Sequence, residues 1–267
     1  MPRRKSRRNK KKNNFLVGVF IFLLISIAAA TVYLVFFSGN STTEKKERYT
    51  GDTSFQSYVM HFKNYTVFGI DVSEYQASID WKKVASEKSM YFVFIRATAG
   101  NSKTDRNFIT NWYAAGEQKL IRGAYHYYRP NENSTGQAQR FIETVTLQKG
   151  DLPPVLDIEQ YSHVQNKNSL KTGLLNWLEI VEKHYQQTPI IYTSPNIYRS
   201  MFNGDKRFEK YPVWISSLNV SKEPSHIAAQ WKFWQFSHEG KVAGIKGKVD
   251  IDLFVGTYND LVNFTIH

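Results

Sequence analysis

The chain has 267 residues, enough for one large domain with an appendage. It contains no cysteine, which excludes disulfides, thiolate metal sites and cysteine nucleophiles and suits an exported protein of a bacterial envelope. A net charge of +12 would fit a nucleic-acid partner, but eight of the basic residues fall between Arg3 and Lys12, and the rest of the chain carries 27 basic against 23 acidic residues.

Directly after the basic run, Phe15 to Phe37 holds 23 residues without a charge. As a helix this stretch is long enough to cross a bilayer core of about 30 Å. The positive-inside rule puts the N-terminus in the cytoplasm and everything after Phe37 outside, so the basic tail is an orientation signal that needs no nucleic acid to explain it. Ala28 to Ala30 resembles a signal-peptidase site, but the apolar residues run on well past it, which predicts an uncleaved anchor. The expected order is a basic cytoplasmic tail at 1–14, a membrane helix at 15–37, a polar extracytoplasmic linker at 38–67 and a folded domain at 68–267. Asn-x-Ser/Thr sequons begin at Asn40, Asn64, Asn133, Asn219 and Asn263 and matter only in a host that glycosylates them.

From Phe68 onward short apolar runs predict eight strands, at 68–73, 91–98, 123–128, 154–159, 189–194, 212–217, 233–237 and 251–256. Helical spacing appears between the early ones: Ile79, Val84 and Ala85; Phe108, Trp112 and Ala115; Ala138, Phe141, Ile142 and Val145; and Leu170, Leu174, Leu175, Leu178, Val181 and Tyr185. Alternating strands and helices imply parallel pairing with right-handed crossovers, and eight strands in about 200 residues suggest an α/β barrel. The last three strands leave room only for loops or short helices, so the outer helical ring should be incomplete there. No glycine-rich phosphate loop follows the first strand, which disfavours an open doubly wound sheet.

The stretch Leu152-Pro-Pro-Val-Leu-Asp-Ile-Glu159 carries two carboxylates one residue apart at the end of a strand. Side chains at i and i+2 of a strand share a face, so Asp157 and Glu159 stand side by side where barrels place their chemistry. Two such carboxylates cannot both ionise easily, and one should hold its proton near neutrality. A carboxylate ending a strand also caps helices or pairs with surface lysines, so the stretch alone leaves both readings open. If the barrel closes, Asp71 from the first strand and Asp250 and Asp252 from the last converge on the same mouth, with Tyr125, Tyr127, Tyr192, Trp214 and Trp234 as candidate rings. Carboxylates among rings suit a neutral sugar.

These residues resemble glycoside hydrolase family 25, the muramidases of the Chalaropsis type. The resemblance rests on Gly69-Ile-Asp-Val-Ser73 with Ile79-Asp-Trp81, Phe94-Ile-Arg-Ala-Thr98, Gly123-Ala-Tyr-His126, Leu152 to Glu159, Trp234-Gln-Phe-Ser237 and Gly244-Ile-x-Gly-x-Val-Asp250, in that order. It covers about Phe68 to Gly256. It implies an irregular barrel of five βα units followed by three strands, and hydrolysis of the β-1,4 bond from N-acetylmuramic acid to N-acetylglucosamine in peptidoglycan. It further implies that Glu159 is the general acid and base, that Asp157 assists the substrate's own 2-acetamido group, that Asp71 and Asp250 lend electrostatic support, and that no cofactor or metal is required. Asp252 stands where the family often has Asn and receives no role. Two departures are Ala99, where an acid often lies near the cleft, and Ala77, where a glycine is frequent.

Other chemistry finds little support. The seven histidines are scattered with no zinc spacing, no Gly-x-Ser-x-Gly elbow exists, and His126 reads as a core or supporting group. The rival reading is a weak or inactive tethered protein that binds peptidoglycan without cutting it. The expected partners are peptidoglycan strands and the membrane; the topology would suit work beside an envelope or conjugation machine.

Overall fold

The structure, a computed structural model, describes residues 51–218, 223–224 and 231–267. The chain divides into two units, Met1–Glu47 and Arg48–His267, and every described residue belongs to the second. The expected basic tail, the span from Phe15 to Phe37 and the first part of the linker lie outside the described residues. Among the described residues no helix is long and apolar enough to cross a membrane.

The ordered domain opens earlier than Phe68. Helix α1 (Phe55–His61) occupies part of the expected linker, with the Ser54 side chain accepting from the Ser57 N–H at its start. Its buried residues, Phe55 and Tyr58, are three apart and so share one face, which packs on the barrel. The Tyr58 hydroxyl meets Ser237 at 2.9 Å, and the Phe62 ring stands 5.3 Å from that of Trp234.

Eight strands close a barrel among the described residues: β1 (Val67–Val72), β2 (Met90–Ala99), β4 (Ile121–Tyr127), β5 (Val155–Ile158), β6 (Ile190–Thr193), β7 (Val213–Ser216), β8 (Trp231–Gly240) and β9 (Val249–Phe254), with β1 paired to both β2 and β9. The two-residue β3 (Lys103–Thr104) folds back on the end of β2. Helices α2 (Trp81–Ser86), α3 (Phe108–Glu117), α4 (Ser134–Thr144) and α5 (Lys167–Tyr185) fill the first four crossovers; the fifth holds only α6 (Pro195–Ile197), continued by an irregular turn at Tyr198–Phe202. The polar residues preceding α2, α4 and α5 cap them: Asp80, Asn133 and Asn166 each accept a backbone N–H of the first turn. All pairings from β1 through β8 are parallel, apart from the β3 flap, whereas β9 runs antiparallel to both neighbours. The short link from Lys241 to Lys248 accounts for this, because a parallel return needs a crossover of a dozen residues or more.

Alternation along the strands builds two apolar layers. One lies between barrel and helices and takes Leu174, Trp177, Leu178 and Val181 from α5. The other fills the barrel with Phe92, Phe94, Trp214, Phe233 and Phe254, closed below by Leu261 of α7 (Tyr258–Asn263) and by Phe264. The interior rings fit because two facing positions lack a side chain: a Cβ on Gly69 would stand 2.5 Å from the Phe92 ring, and one on Gly123 2.4 Å from Phe94. The floor of rings ends at Trp214; above it the inward positions turn polar.

Candidate active site

β5 presents Val155, Asp157 and, just past its end, Glu159 to the barrel interior, while Leu156 and Ile158 face the helices. Asp157 is 3% exposed, and its Oδ1 is buried without a hydrogen-bond partner. Glu159 reaches solvent at the mouth. Burial pushes the Asp157 carboxyl well above the usual range, and the Glu159 charge and a hydrogen bond shared with it add to the effect, against a pull down from Arg96. Glu159 is also raised by the partial loss of water, while the hydrogen bond from Asp157 holds it back. Both carboxyls are thus displaced toward the protonated form, Asp157 the more strongly.

Three further carboxylates converge on the same space. β1 and β9 set Asp71 opposite Asp250 and Gly69 opposite Asp252, so Asp252 stands one step deeper. Asp71 is raised well above its ordinary value by burial and then by Asp250 and Asp252. Asp250 is pushed up to about 6 by burial, with His238 opposing. Asp252 is fully buried; its Oδ1 accepts from the Trp214 indole at 2.8 Å, whereas its Oδ2 finds no donor. Burial and the Asp250 charge raise it well above the carboxylate range, and its contact with Asp71 is a meeting of two acceptors that only a proton can bridge.

The expected rings separate into four groups. Tyr125 and Tyr192 line the interior, nearly buried, with the Tyr192 ring 4.4 Å from that of Trp214. Tyr127 sits higher and half exposed, its hydroxyl accepting from Gln160 at 3.1 Å. Trp214, 1% exposed, lies stacked on Phe94 at 4.3 Å and forms the floor under the acids instead of an open platform. Trp234 requires a correction. It turns outward from β8, fully buried against Phe62 and Phe236, with its indole donating to the Ser217 carbonyl at 2.8 Å. In β8 the inward positions are Phe233 and Gln235, and alternation sends Trp234 to the other face.

Two functional side chains were not singled out from the sequence. Gln235 donates to Asp71 Oδ2 at 2.7 Å and accepts from the Tyr192 hydroxyl at 2.8 Å and the Ser216 hydroxyl at 2.7 Å, tying three strands to one acid. Arg96 is the cation facing Asp157; it is held by Asp105 at 2.9 Å and Glu74 at 3.2 Å. An arginine in the apolar run Tyr91 to Thr98 was the available signal. His126 is a buried core group as expected, hydrogen-bonded to Thr98 and Gln137 and stacked on Trp177 on the outer face of β4; burial lowers it to about 4, so it is neutral. Ala99 is buried beside Tyr127, and Ala77 takes φ 53° and ψ −128°, a conformation natural to glycine.

A closed barrel with five acids and an aromatic floor at one end is equipped to bind an uncharged polar polymer and to donate and recover a proton. Comparison with known proteins agrees. Residues 70–245 match the model of glycosyl hydrolases family 25. The Escherichia coli K12 protein YegX is 38% identical over 205 residues, covering 75% of this chain and 74% of its own. Lysozyme M1 of Streptomyces globisporus is 36% identical over 205 residues, 72% of this chain and 68% of its own. A family 25 glycosyl hydrolase from Bacillus anthracis superposes with a TM-score of 0.69 at 29% identity, covering 77% of this chain and 96% of that one. With fold, acid-lined mouth and relatives in agreement, the chain belongs to glycosyl hydrolase family 25 and is a glycoside hydrolase.

Proposed function

We propose that the chain is a muramidase that cleaves the β-1,4 bond from N-acetylmuramic acid to N-acetylglucosamine, with Glu159 as general acid and base and Asp157 as its partner. The observation that carries this reading is the Asp157–Glu159 pair at the end of β5, Asp157 buried and Glu159 at an open mouth, with both carboxyls raised. Relatives of the chain named as lysozymes, such as Lysozyme M1, support the substrate class. In this mechanism the two carboxyls share one proton; substrate binding draws it to Glu159, which delivers it to the glycosidic oxygen as the C1–O bond breaks. The carbonyl oxygen of the 2-acetamido group attacks C1 from the opposite face, and the positive charge of the resulting oxazolinium ion is met by Asp157. Glu159, now a carboxylate, takes a proton from water as that water adds to C1; the C1–O bond of the oxazolinium ring breaks in the same step, its electron pair restores the neutral acetamido group, and the configuration is retained. Asp71, Asp250 and the Tyr125 and Tyr192 hydroxyls keep the mouth electronegative around the oxocarbenium-like charge.

The basic tail and the span from Phe15 to Phe37 support a membrane tether with the barrel outside, so that the enzyme works on wall within reach of its own membrane. Protease added to intact cells should then degrade the barrel and spare the N-terminal tail; a barrel protected inside the cell would refute the tether.

The chemistry is tested by incubating the chain and its Glu159→Gln variant with purified peptidoglycan, reducing the products with borohydride and identifying new ends by mass spectrometry. Reduced muramic acid from the parent and none from the variant is expected. Reduced glucosamine or anhydro-muramic ends would move the bond or the mechanism, and no new ends with retained pelleting on peptidoglycan would make the domain a binder.

A further inference from the structure

Beside the mouth, the first turns of α2 and α3 and the turn after β1 enclose a groove of about 430 Å³. Ile79, Trp81 and Ala114 give it an apolar wall; its polar lining includes Arg106, Thr110 and Asn111, with Glu74 the one carboxylate. Asn111 is 3% exposed, and its Oδ1 accepts from the Trp81 indole at 3.3 Å. An indole N–H can only donate, so the amide oxygen is identified and Nδ2 is turned away from it. That Nδ2 is buried with no partner among the described residues. Each such orphaned donor asks for an acceptor. At the start of α3, Asn107 makes no capping bond and spends its amide on the Ala77 carbonyl at 3.2 Å; Asp105 meets the Asn107 and Phe108 N–H groups, and the rest of the first turn has no acceptor from the cap side chain.

The local charge has the matching sign. Arg96, Lys103 and Arg106 all contact Glu74, and Arg96 also pairs with Asp105, so three cations face two carboxylates. Arg106 is 74% exposed and touches Glu74 through Nε at 3.3 Å, leaving its Nη groups toward solvent. The groove is also close to the chemistry, because Glu74 holds Arg96 and Arg96 faces Asp157.

We propose that this groove is a subsite for the peptide that branches from the glycan, seating a carboxylate or acyl oxygen on Asn111, Arg106 and the first turn of α3. The inference rests on the reading of the chain as a peptidoglycan hydrolase. The peptide leaves the muramic ring through the lactyl ether and must exit the cleft to one side. Its small methyl side chains fit the wall of Ile79, Trp81 and Ala114, and its carboxylates fit the net positive rim.

The test compares two polymers, peptidoglycan with its stem peptides and glycan strands stripped of them by an amidase, using the whole chain in detergent carrying Glu159→Gln so that nothing is cut. This non-cutting chain should pellet with the stem-bearing polymer in preference to the stripped one, and Arg106→Glu added to it should reduce that preference about tenfold, the scale of one charge-assisted contact. Asn111→Asp keeps the acceptor for Trp81 but replaces the donor, and should do the same; a matched thermal melt shows that it folds. Lys149→Glu, an equal charge change on an exposed residue of the α4–β5 link, should leave the preference unchanged. Equal pelleting of the non-cutting chain with both polymers, or a preference untouched by Arg106→Glu and Asn111→Asp, overturns the subsite. Absence of new reducing ends from the chain with Glu159 intact would instead count against the muramidase reading, independently of the pelleting result.

Discussion

Replacing Asp252 by Asn should stabilise the protein, and by an amount that grows with pH. Asp252 is fully buried, its Oδ1 accepts from Trp214 at 2.8 Å, and its Oδ2 has no donor. Asparagine keeps the acceptor for the indole and presents N–H toward Asp71, where two carboxylates now require a shared proton. Because the folded-state pKa is raised above the unfolded value near 3.9, the fold binds a proton that the unfolded chain has released. The contribution of Asp252 is therefore most favourable below about pH 4 and is lost as pH rises toward the folded value. Within that window the parent loses stability as pH rises, and Asp252→Asn retains it. The Tm of the variant should therefore pull further above that of the parent at each higher pH, by about 2–4 °C for every kcal/mol in a domain of this size. Thermal unfolding of both chains in detergent, followed by near-UV circular dichroism of the buried tryptophans at pH 5, 6 and 7, reads it directly. A Tm difference that stays flat across these pH values, or a variant less stable throughout, would refute the reasoning.

Gln235→Leu removes the donor at 2.7 Å from Asp71 and orphans the Tyr192 and Ser216 hydroxyls, so kcat/KM on peptidoglycan should fall roughly 10- to 100-fold from misplacement of one supporting acid. Ala77→Gly relieves a residue at φ 53°, ψ −128° and should raise stability by about 1 kcal/mol in denaturant titration; no gain would mean that the turn after β1 carries no strain. Trp234→Phe deletes the bond to the Ser217 carbonyl and should cost about 1–3 kcal/mol of stability while leaving kcat/KM of the folded enzyme unchanged, whereas a ring that stacked on sugar would lower kcat/KM.

The barrel was legible because its eight apolar runs are spaced by loops and helices of the right length, and the Asp157–Glu159 pair because a strand has a period of two whatever surrounds it. The parity of β8 was not. From Trp231 to Phe236 large rings occupy both faces, since the inner face fills the barrel and the outer face is covered by α1. Helix α1 itself was hidden: with Phe55 and Tyr58 as its only buried residues in a polar stretch it has no periodicity, and it forms because β8 and the Lys241 turn offer it a surface. Ala77 was visible as a departure, but its cost shows only once the backbone is known to take a left-handed angle. Asp252 was placed on the correct face; its carboxyl is raised because the closed barrel buries it whole beside Asp250, a burial that no local pattern encodes.

The raised acids also separate burdens that serve chemistry from those that do not. Asp157 and Asp252 are both buried, both raised mainly by burial, and both carry an orphaned oxygen. By the same sign, Asp157→Asn should gain more in Tm over the parent at pH 7 than at pH 5, as Asp252→Asn does. The two variants part on turnover. Asp157 is hydrogen-bonded to Glu159 and in the proposed mechanism shares its proton, so its amide should reduce kcat by roughly 100-fold or more, the scale of a lost acid–base partner. Asp252 meets Trp214 and Asp71 beneath the mouth, and its amide should leave kcat within about threefold of the parent, a change in barrier of under about 1 kcal/mol. If both variants lose activity alike, the deep acid belongs to the proton circuit of the pair; if neither does, the shared proton of Asp157 and Glu159 is a feature of folding and the general acid acts without it.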